Sequence, residues 1–92
     1  MQDHRTGWPA HVAAPGTRQY EDQRALLLEL VVDPPPGGEA IAALARRLGR
    51  PRAAIGTAAA ALARSGLLAR GPGGVRATAA ARAFEALWPT RL

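Results

Sequence analysis

Arginines on both sides of the glycine-rich run Gly71-Pro72-Gly73-Gly74 carry the first chemical signal in this chain. Arg70 and Arg76 flank it, and six more, Arg46, Arg47, Arg50, Arg52, Arg64 and Arg82, lie between residues 40 and 84. No acid occurs in that stretch, so it has a net charge of +8. Residues 1–39 hold six acids against Arg5, Arg18 and Arg24, a net of −3. Like charges repel, and soluble surfaces normally mix signs. A long acid-free stretch therefore points to an anionic partner, most simply phosphate. The plainer alternative is a solvated helical surface in a chain of biased composition, since all twelve basic residues are arginine.

Other chemistries find little support. Ser65 is the one serine, there is no cysteine, and no paired carboxylates or phosphate-loop motif occur. Asp3, His4 and His11 match no metal-ligand spacing. The expectation is a protein that is not an enzyme and needs no cofactor or metal. No apolar run of roughly 18 residues exists to span a membrane. The N-terminal "MQDHRTGWPA" lacks the apolar centre of a secretory signal, so the expected location is cytoplasmic.

These arginines must be positioned by few elements. The 92 residues suffice for one domain. Residues 1–17, broken by Gly7, Pro9, Pro15 and Gly16, read as a flexible arm, and 18–92 as the folded domain. A first helix is predicted over 18–32, with Tyr20, Leu27, Leu30 and Val31 on one stripe, stopped by Asp33 and Pro34-Pro35-Pro36. A second spans 39–48, with Ile41, Leu44, Ala45 and Leu48 inward and Gly49 as its left-handed cap. Pro51 fits the first position of a third helix, 51–65, which buries Ile55, Ala58 or Ala59, and Leu62. Two apolar-containing runs around the glycine-rich tip form a β-hairpin over 67–78. Thr78 caps a fourth helix with Phe84, Leu87 and Trp88 on its apolar face. The fold class is mainly α with a small β-hairpin.

This order resembles the winged helix-turn-helix superfamily, and most nearly the small bacterial regulators of the MarR type. "IAALARRLGRP" (41–51) is similar to the first helix of the motif and its turn. "AAIGTAAAALARSGLLAR" (53–70) is similar to the recognition helix running into the first wing strand. "VRATAAARAF" (75–84) is similar to the second wing strand and the start of the next helix. Ala81 stands where such families often have glycine, and Ala63 where they often have an acid.

The resemblance implies a partner, double-stranded DNA, and a role in bacterial transcription regulation at the nucleoid. Helix 51–65 would enter the major groove, and the hairpin would lie as a wing on the backbone. Arg52 and Thr57 are the candidates for base contact. Arg46, Arg47, Arg50, Arg64, Arg70 and Arg76 are the candidates for phosphate contact. Ala53, Gly56 and Ala60 share the outer face of that helix, and none can hydrogen-bond a base edge through a side chain. That leaves an alternative: a winged-helix module for protein interaction or dimerisation without sequence-specific DNA binding. A homodimer would use the first helix together with Phe84, Leu87 and Trp88.

Overall fold

The computed structural model describes residues 13–87. Four helices and one hairpin follow in the order α1 (Arg18–Val32), α2 (Ile41–Leu48), α3 (Arg52–Arg64), β1 (Leu68–Gly71), β2 (Gly74–Ala77) and α4 (Ala79–Leu87). The chain is mainly helical with a small antiparallel hairpin. Residues 1–12 of the expected arm, with Asp3, His4 and His11, lie outside the described residues, as does Trp88. Among the described residues, no helix is long and apolar enough to cross a membrane.

Thr17 starts α1: its hydroxyl accepts from the Tyr20 amide at 3.1 Å, satisfying one of the free donors of the first turn. α1 then buries Tyr20, Leu26, Leu27 and Leu30 against α3 and the hairpin base. Leu44 from α2 and Ile55, Ala58, Ala59 and Leu62 from α3 complete the centre. Six side chains there (Leu26, Leu27, Leu30, Leu44, Ile55 and Leu62) are fully enclosed. Each contributes about 1.5–3 kcal/mol through the apolar area withdrawn from water.

α2 and α3 are joined by Gly49, Arg50 and Pro51. Gly49 turns the chain with φ 67°, the left-handed conformation expected of it. Pro51 sits one position earlier than predicted. Its ψ of 139° is extended, so it caps α3 from outside, and its carbonyl accepts from the Ile55 amide. Thr78 performs two tasks with one hydroxyl. It accepts from the Ala81 amide at the start of α4 and donates to the Gly66 carbonyl beyond α3.

The hairpin differs from its prediction in a useful way. Gly71 and Gly74 pair with each other, so the ladder runs further out and the tip is only Pro72-Gly73. The start of α2 also differs: Glu39 is not helical. Its amide donates to the Val75 carbonyl and its carbonyl accepts from the Val75 amide, both at 2.9 Å. Gly73 likewise donates to the Gly37 carbonyl at 2.9 Å. Residues 37–39 thus run along β2 as a rudimentary third strand. The glycines permit this contact. A Cβ on Gly74 would strike the Glu39 carbonyl, and one on Gly71 would strike the Gly37 carbonyl oxygen.

Candidate nucleic-acid interface

α3 presents one outward stripe. Arg52, Ala53, Thr57, Ala60, Ala63 and Arg64 are exposed, and Gly56 among them is half-buried. Residues three and four apart share a helical face, so these positions form one strip about 18 Å long. Its ends carry Arg52 and Arg64. Alongside runs a groove of about 150 Å³ between α3 and the hairpin, bordered by Gly56, Ala60 and Ala63 on one wall and Ala69, Arg70 and Val75 on the other. On the other flank, a hollow of about 410 Å³ separates α3 from the start of α1 and is bordered by Arg18, Gln19, Ala54 and Thr57.

The hairpin register separates its two arginines. Arg70 pairs with Val75, and Arg76 with Ala69. Successive strand residues alternate between faces, so Arg70 and Arg76 stand on opposite faces of the ribbon. Both are exposed, but Arg70 alone borders the α3 groove.

The phosphate candidates fall into two classes. Arg46, Arg52, Arg64, Arg70 and Arg76 are exposed and form no ion pair among the described residues. Arg47 and Arg50 are engaged within the chain. Arg47 donates through Nε to Glu29 Oε2 at 2.8 Å, through Nη2 to Glu39 Oε1 at 2.9 Å, and through Nη1 to the other Glu39 oxygen. The hydrogen bonds from Arg47 hold the Glu39 carboxyl below the usual carboxylate range. The same bonds, that to Glu39 first and that to Glu29 second, push the Arg47 guanidinium above its ordinary value.

Arg50 donates through Nη1 to Asp22 Oδ1 at 2.7 Å. The Asp22 side chain is only 8% exposed and that of Arg50 33%, so this pair is a partly buried tie between α1 and the α2–α3 turn. Arg47 and Arg50, two of the phosphate candidates, are thus engaged by acids within the chain. Charge counting by segment missed this, because their acids lie 8, 18 and 28 residues away, all within the acidic half. Arg18 stands in the converse position. It belongs to the acidic half but borders the same hollow as Thr57.

Two polar groups of α1 also escaped the apolar pattern. Asp22 and Gln23 are buried. Gln23 Oε1 accepts from the Ala13 amide at 2.8 Å and so fixes the approach of the chain to α1. On the expected dimer surface, Phe84 is half-buried and packs on the core, and the Leu87 side chain and Trp88 lie outside the described residues. No group of three or more His, Cys, Asp or Glu side chains suited to a metal occurs among the described residues. Comparison of the chain with protein-family models, curated proteins and solved structures finds no match.

Proposed function

We propose that the protein binds double-stranded DNA as a winged helix-turn-helix of the kind found in small bacterial transcriptional regulators of the MarR type. α3 lies in the major groove, and the hairpin is the wing beside it. One observation carries the reading. Arg52, Arg64 and Arg70 surround the outward stripe of α3 and its groove, and none has an acidic partner among the described residues. A surface so left uncompensated is suited to phosphate. Arg52 and Thr57 remain the candidates for base edges, and Arg46, Arg64, Arg70 and Arg76 those for phosphate.

Ala53, Gly56 and Ala60 offer no side-chain donor or acceptor, so base reading is confined to few positions and backbone contact dominates. The same small residues favour a second reading, a module that docks another helix closely, in a partner or in a second copy of this chain. A gel-shift series over salt separates the two. Four phosphate contacts put the slope of log K against log salt near about −4. A flat response, or no binding of any duplex at low salt, rejects the DNA reading and favours docking.

A further inference from the structure

Beyond the base of the hairpin, the ribbon has little of its own to hold it. Leu68 and Ala77 are buried and fasten that base to the core. Val75, opposite Arg70, packs half-buried against the core, and beyond that pair stand only Gly71, Pro72, Gly73 and Gly74, with no large apolar side chain among them. The support there is the strip 37–39, through the Glu39–Val75 and Gly73–Gly37 hydrogen bonds. That strip follows three prolines and contains Gly37 and Gly38, both at positive φ, so its own path is not fixed by packing side chains. On the helical body the strip is held at its end by Ala40, whose carbonyl accepts from the Leu44 amide at the start of α2, and through side chains by the Glu39 carboxylate. Arg47 of α2 grips both oxygens of that carboxylate and holds Glu29 of α1 with its remaining Nε–H.

We infer that Arg47 is a positioning residue that fixes the hairpin on the helical body through Glu39 and so sets where Arg70 and Arg76 point. Its consequence for binding rests on the DNA reading above; the mechanical link does not. A solvent-exposed ion pair usually does little, but a two-pronged guanidinium–carboxylate contact within a three-residue network is the case in which geometry is held. The donors of Arg47 are directed at acids. It acts on phosphate through the wing.

Two measurements on the full chain test this. In hydrogen exchange without DNA, Glu39→Gln and Arg47→Gln should speed exchange of the Gly73 and Val75 amides by up to about fivefold, the most an exposed ion pair typically supplies. The α1 core amides of Leu26 and Leu30 should keep their wild-type rates, showing that the body remains folded. In the salt series on a random duplex, Glu39→Gln should weaken binding although it removes a negative charge. The slope should shrink by up to about 1.8, for two wing phosphates lost at about 0.9 each. In an Arg70→Ala, Arg76→Ala background it should have no further effect on the slope.

Unchanged hairpin exchange in both variants overturns the proposal. So does tighter binding by Glu39→Gln, which a freed Arg47 contacting phosphate directly would produce. If the wild type binds no duplex, the DNA reading fails, and the exchange result alone decides whether Arg47 positions the hairpin.

Discussion

Two regions of this molecule are built from glycine and alanine, and they mean opposite things. Along the seam between the hairpin and residues 37–39, backbone lies directly on backbone, and a methyl group on Gly74 would collide with the Glu39 carbonyl. Along the outward stripe of α3 nothing lies on top, and a Cβ on Gly56 would meet no atom within 4 Å. In the first region, smallness is required by a contact already made within the chain. In the second, it leaves a surface that something else can approach closely. Composition alone does not distinguish them. The partner across the gap does.

The contrast can be broken most forcefully at the seam. Gly74→Ala adds a side chain at φ 134° and drives it into Glu39, so the hairpin must part from residues 37–39. We expect a loss of about 2–3 kcal/mol in urea unfolding, because both backbone strain and a lost bridge contribute. A wild-type midpoint would show the seam to be slack. On the open stripe, Ala60→Leu should change stability by under about 0.5 kcal/mol, as exposed substitutions do. It should still reduce duplex binding by about tenfold or more by holding the helix off the groove. Equal binding by this variant would remove α3 from the interface.

Gly56→Ala should act in the opposite direction to Gly74→Ala. It adds helix propensity without collision and should stabilise by up to about 1 kcal/mol. Destabilisation by this change would mean that the stripe is covered at Gly56. The smallest effect concerns acid. The Glu39 carboxyl is held below its unfolded value, so its pairing contributes stability above the unfolded pKa, and that stability is lost as pH falls through the lower folded value. Exchange at the Gly73 and Val75 amides, corrected for intrinsic rate, should therefore rise as pH drops below the ordinary carboxylate range. In Glu39→Gln this component of the pH dependence should be missing, and its persistence would locate the titrating group elsewhere.

Much of the helical frame was legible because it follows from local rules. Helical spacing, the prolines after Val32, the left-handed Gly49 and the Thr78 cap each act within a few residues, and the observed bounds of α1 match the prediction. What remained hidden depends on distant partners. The strand character of Glu39 exists only because Val75 lies beside it, so a helix was expected to begin there. Leu26, not among the residues of the predicted stripe, is enclosed, because α1 is covered on more than one side. Of the candidate residues, Arg52, Thr57 and Arg64 are exposed along α3 as helical spacing implies, and Arg70 is exposed on the hairpin beside it. The engagement of Arg47 and Arg50 by acids of residues 1–39 depends instead on tertiary contact that spacing does not reveal.

The Asp22–Arg50 tie also sets an order of events when the chain is made. Asp22 emerges from the ribosome 28 residues ahead of the guanidinium that neutralises it. At ordinary synthesis rates that is an interval on the order of a few seconds. Through that interval the carboxylate keeps its water, since a charge is not buried without a partner. α1 therefore lacks the partner of its buried carboxylate until the α2–α3 turn arrives.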